Sequence, residues 1–71
     1  MNKVNDIIDA LQLTLDITNT TLAEPTVAWL LGELQKEKPA YVLHALERCR
    51  REVRGPLSAK DIFDRIPRLA L

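Results

Sequence analysis

An all-α fold is the class that this sequence predicts, and three observations predict it. Apolar residues recur at helical spacing in four separate segments, no stretch alternates apolar and polar residues for long enough to make a strand, and prolines and capping residues stand between the segments. At 71 residues the chain has room for one domain with one core, so residues 1–71 are read as a single helical domain. Connections of about 3 to 6 residues predict helices that pack on their sequence neighbours, in a small compact bundle of three longer helices and a short fourth.

Val4, Ile7, Ile8, Leu11 and Leu15 share one helical face, so a first helix is predicted over 3–17 with Asn2 or Asn5 near its start. Asp6 and Asp9 fall in its first turns, where the helix dipole favours anions. Ala10, Leu13 and Ile17 form a second, narrower stripe on roughly the opposite side, which makes this helix either central or docked to a partner. The run Thr18-Asn19-Thr20-Thr21 combines β-branched and turn-forming residues and reads as a loop.

Pro25 suits the first turn of a second helix, where its missing N–H would be unpaired anyway, and Glu24 again favours the dipole. This helix is predicted over 24–37, with Val27, Leu30, Leu31 and Leu34 as its buried stripe. Pro39 stops it and opens a third helix over 39–54, with Val42, Ala45, Leu46, Cys49 and Val53 on one face and His44, Glu47, Arg48 and Arg51 on the other. Gly55-Pro56 is a C-terminal stop. Ser58 is an N-cap for a short fourth helix over 59–66, with Asp61 in the place that Glu usually holds in a capping box. Ala59, Ile62, Phe63 and Ile66 give it an apolar face, and Pro67 ends it.

Composition narrows the function classes. With 46% hydrophobic and 28% charged residues and only two glycines, the chain is built to fold. Cys49 is its single cysteine and cannot form an intramolecular disulfide, and Met1 to Asp6 lack the apolar core of a secretory signal, so the cytoplasm is the expected compartment. The longest apolar run, Val27 to Leu31, is far short of the roughly 20 residues that cross a membrane. Catalysis is not expected: His44, the only histidine, lies on a polar face without a serine or cysteine at a helical spacing, and the patterns of metal sites and phosphate loops are absent, so no catalytic, cofactor or metal residue is assigned.

Binding has better candidates. Arg48, Arg50, Arg51 and Arg54 put four arginines into seven positions, a set able to contact phosphate or an acidic partner. Glu47 to Arg51 and Arg48 to Glu52 are i, i+4 pairs that would neutralise two of them, leaving Arg50 and Arg54 as the free contacts. Trp29 falls almost opposite Val27, Leu31 and Leu34, among Glu33, Lys36 and Pro25, so it is either covered by another part of the chain or an interface anchor. Leu57 to Phe63, preceded by Gly55-Pro56, resembles the first helix of helix-turn-helix units, but Pro67 and Arg68-Leu69-Ala70-Leu71 stand where a recognition helix would follow.

Ala45-Leu46-Glu47-Arg48-Cys49-Arg50-Arg51-Glu52, then Gly55-Pro56-Leu57, then Asp61-Ile62-Phe63-Asp64-Arg65-Ile66, together with the start Lys38-Pro39-Ala40-Tyr41-Val42-Leu43, carry a resemblance over about half the chain. The pattern resembles a group of small phage and prophage proteins, themselves similar to the helical N-terminal part of phage replication proteins, including helicase loaders. That resemblance implies a role in recruiting or restraining a replicative helicase or another replication protein. Longer members continue into a segment rich in Gly, Arg and Pro followed by Glu-Ala-Trp, so the resemblance implies either a shortened or a truncated member of a longer family.

Ten basic and ten acidic residues cancel, but unevenly: residues 1–38 carry three basic and six acidic side chains, and residues 39–71 carry seven and four. An acidic half joined to a basic half permits an anionic partner and also head-to-tail association of copies. The expected function is therefore a non-catalytic, prophage-type helical domain that works by protein contact, without a cofactor, through Trp29 and through the arginines. Nucleic-acid binding by the basic half is the alternative.

Overall fold

A computed structural model of the protein describes the backbone of residues 3–67 and the side chains of residues 6–67. Four helices follow in order, α1 (Lys3–Ile17), α2 (Glu24–Leu34), α3 (Pro39–Glu52) and α4 (Ala59–Arg65), and the described residues form no strand, as the spacing predicts. The proposed cap Asn2, the side chain of Val4 and the Arg68 to Leu71 end lie outside the described residues, and Asn5 falls inside α1.

The core forms where the stripes of all four helices meet. Ile7, Leu11 and Leu15 of α1, Leu30 and Leu34 of α2, Val42, Ala45, Leu46 and Cys49 of α3, and Ile62 of α4 are buried together with Leu57 and Ile66. Helix α3 is the central element, packed against both α1 and α4. Its four buried residues at i, i+3, i+4 and i+7 make a continuous apolar stripe along that seam.

Three helix ends fall short of the sequence reading. Helix α2 ends at Leu34 instead of at 37: Leu34 is its last core residue, Lys36 and Glu37 close tighter turns onto the Glu33 and Leu34 carbonyls, and Pro39 forces Lys38 into extended backbone. Helix α3 ends at Glu52, two residues early, because Val53 turns extended and lays its side chain on the core. Gly55 then takes the left-handed φ of +90° in the connection itself. Helix α4 ends one residue early, at Arg65. The Ser58 cap is as expected: its hydroxyl accepts from the Asp61 N–H, and the Asp61 carboxylate accepts from the Ser58 N–H.

Burial corrects the reading of α1. Ile8, placed in the buried stripe, is exposed at the rim, and Val27 and Leu31 of α2 are half-buried. Two polar residues are buried on the inward side instead, Thr14 of α1 and Thr18 just past its end. The Thr14 hydroxyl donates to the Ala10 carbonyl at 2.7 Å and accepts from Arg50 Nη1 at 3.0 Å. The Thr18 hydroxyl donates to the Thr14 carbonyl at 2.8 Å and lies 2.9 Å from the Thr20 hydroxyl, whose oxygen accepts the Leu57 N–H at 2.7 Å. Every buried side-chain polar atom among the described residues has a partner.

The Thr18 to Thr21 run is accordingly a loop with a fixed shape. Asn19 adopts φ +53°, its N–H donates to the Asp16 carbonyl, and the Thr20 N–H reaches back to Leu15, which together make a Schellman ending for α1. Thr20 is held there against the α3–α4 connection through Leu57. Two outcomes follow. Thr20→Val, which removes the acceptor of the Leu57 N–H, should lower unfolding free energy in urea by about 1–3 kcal/mol, whereas the same change at exposed Thr21 should stay within about 0.5 kcal/mol. Asn19→Gly should be neutral or stabilising and Asn19→Ala destabilising by about 1 kcal/mol, measured in the same way.

Candidate functional site

The four arginines do not converge on one open site. Alternating exposure along α3 sends Arg48 and Arg51 to solvent, while Arg50 flanks the core beside the fully buried Cys49. Arg48 makes a two-point contact with Glu52, Nε to Oε2 at 2.9 Å and Nη2 to Oε1 at 3.1 Å. Arg51 pairs with Glu47 at 2.7 Å. Both i, i+4 pairs are those the spacing predicts, and at this exposure water screens each of them.

Arg50 departs from the expectation of a free contact. It is half-buried and donates across the α1–α3 seam to Thr14, so its guanidinium is used inside the fold. Arg54 is exposed and has no partner among the described residues, as expected. A further arginine belongs to this cluster: Arg65 Nε donates to Glu52 Oε1 at 3.1 Å and its Nη1 to the Asp61 carbonyl at 2.9 Å. Glu52 thus accepts from two arginines and ties the end of α3 to the end of α4. The thirteen-residue separation gives no periodic signal, so sequence spacing could not find the pair.

Charge bookkeeping changes as a result. From 39 to 67 six cations face four carboxylates, and the two cations in excess are Arg50, folded onto Thr14, and Arg54. Lys60 is paired with Asp64, and Lys38 in the α2–α3 connection stands 5.6 Å over the Tyr41 ring. On α1 the opposite holds. Asp9 and Asp16 are exposed with no cationic partner among the described residues, and the Asp16 carboxylate accepts from the Gln12 amide at 3.2 Å.

Apolar side chains supply the remaining surface feature. Trp29 is 57% exposed, Ile17 54%, Leu13 49% and Ile8 41%. Trp29 is therefore not covered by α1 or by any other described element, and the second stripe of α1 faces solvent at Leu13 and Ile17, with Ala10 half-buried.

Cys49 is fully buried and its thiol points at the Asp61 carbonyl at 3.6 Å; burial raises its pKa, which keeps it a protonated core residue. His44 is exposed on the polar face of α3. Among the described residues no three His, Cys, Asp or Glu side chains gather as a metal-ligand set, and no helix is long and apolar enough to cross a membrane. Comparison with protein-family models, with curated proteins and with solved structures finds no match to the chain.

The carboxylates of the cluster give it a pH signature. The Arg48 guanidinium, with help from Arg65, holds Glu52 below its ordinary range, and the Ser58 backbone N–H and hydroxyl do the same for Asp61. A lowered carboxylate pKa means stability that is present above the ordinary value and is lost as pH falls through the lowered one. Glu52→Gln should therefore be less stable than the parent chain at pH 7, and the difference in urea midpoint should close as pH falls below about 4. A gap that stays constant down to pH 2 would show that the Glu52 charge contributes nothing.

Proposed function

We propose that the protein is a non-catalytic helical domain that works by contact with another protein in the cytoplasm. The observation that carries this reading is the exposure of Trp29, Leu13, Ile17 and Ile8, where the other large apolar side chains among the described residues are buried or half-buried. A Trp in water forgoes about the largest burial gain that any side chain offers, and Trp is the residue most enriched at binding hot spots. The phage-type pattern from Ala45 to Ile66 supports DNA replication as the setting, with a replicative helicase or another replication protein as the partner.

Nucleic-acid binding is the second reading, and exposed Arg54 is the observation that favours it. Against it stand the internal use of Arg50 and the carboxylate partners of Arg48, Arg51, Lys60 and Arg65. The two readings differ in salt response, because phosphate contacts release counterions and apolar contacts do not. Labelled single- and double-stranded DNA and a purified bacterial replicative helicase would each be titrated at about 50 and 300 mM salt. The expected result is helicase binding that changes little with salt and weakens at least tenfold in Trp29→Ser, with no saturable DNA binding. Saturable DNA binding that falls steeply with salt and is lost in Arg54→Gln would contradict the proposal.

A further inference from the structure

We infer that the outward face of α1 is a docking strip for a cationic amphipathic helix of a partner protein. This rests on the protein-contact reading and names one face and one partner chemistry. At about 100° per residue, Asp16, Asp9, Leu13 and Ile17 follow one another around α1 within a sector about 100° wide. Asp9 and Leu13 are one turn apart, as are Leu13 and Ile17, and Asp16 lies three positions from Leu13, so the four form one continuous patch. Leu13 and Ile17 are about half-exposed, and both aspartates are exposed.

Charge decides what covers the patch. Two large apolar side chains spaced i, i+4 are the footprint that a helix leaves on a helix. Both charged residues bordering them are carboxylates without a cationic partner among the described residues, so an incoming helix gains from Lys or Arg beside its own apolar stripe. A second copy using the same face would bring carboxylates towards carboxylates. A second copy using its basic half would offer only Arg54 as an exposed cation not already paired between 39 and 67, which removes most of the reason for head-to-tail association. An anionic membrane surface or a nucleic acid would be repelled by Asp9 and Asp16.

The probe is a labelled synthetic Leu/Lys helix about four turns long, compared with a peptide of the same composition whose order destroys the helical periodicity, by anisotropy at ~150 mM salt. The amphipathic peptide should bind saturably, and the disordered-pattern peptide at least tenfold more weakly. Leu13→Ser with Ile17→Ser should weaken binding at least tenfold, with circular dichroism confirming the fold. Asp9→Asn with Asp16→Asn, which leaves the apolar pair in place, should weaken it three- to tenfold. Equal binding of the two peptides, or parent-like binding by either double variant, would overturn the inference. Binding that survives both double variants and disappears in Trp29→Ser would overturn this face while leaving protein contact intact. Self-association of the parent chain abolished by Leu13→Ser with Ile17→Ser would give the strip to a second copy instead.

Discussion

The hydrogen bond from Arg50 to Thr14 is the contact on which the arrangement of this protein most depends. Arg50 follows the fully buried Cys49 in α3, so it emerges at the edge of the core and not on the open face with Arg48 and Arg51. A guanidinium there needs an acceptor, because a half-buried cation left without one costs more than the net gain of an ordinary hydrogen bond. Thr14 supplies it from α1, and the same hydroxyl donates to Ala10, so a buried polar residue is satisfied on both sides. One turn further on, Thr18 continues the polar line to Thr20 and to the Leu57 amide, which joins the end of α1 to the α3–α4 connection.

That line fixes the rotation of α1 and with it the surface the molecule presents. With Thr14 turned towards α3, Leu13 must lie about 100° around the helix, away from the core, and Asp9 and Asp16 further still. The same contact removes Arg50 from the solvent-facing charge. A chain that is neutral in sum therefore shows two unlike surfaces: a basic half whose cations are mostly paired within the fold, and an acidic, partly apolar α1 face whose carboxylates are not. Of the arginine-rich run only Arg54 is left exposed without a partner among the described residues, whereas on α1 both Asp9 and Asp16 lack a cationic one.

Legibility in the sequence followed the range of the interaction. Helices could be read because i, i+3 and i+4 apolar spacing is local, and the Ser58–Asp61 box because both partners lie within one turn. The pairs Arg48–Glu52 and Glu47–Arg51 were legible on the same grounds. Contacts between helices were not: Thr14 with Arg50, Thr20 with Leu57 and Glu52 with Arg65 join residues far apart in sequence, and no spacing marks them. Counting apolar residues also placed Ile8 inside and passed over Thr14 and Thr18, because a threonine that can bond back to its own helix is accepted in a core position. Of the candidate site residues, Trp29, which the wheel left either covered or open, and Arg54 stand in solvent, whereas Arg50 is half-buried.

A double-mutant cycle between Thr14 and Arg50 tests the central claim most directly. Thr14→Val and Arg50→Met preserve shape while removing the acceptor and the charged donor, and urea unfolding of both singles and of the double gives their coupling. The contact described here predicts a coupling of about 1.5–3 kcal/mol, the range for a hydrogen bond to a charged group. Single-variant losses that add to within about 0.3 kcal/mol would show that Arg50 and Thr14 do not hold α1 to α3.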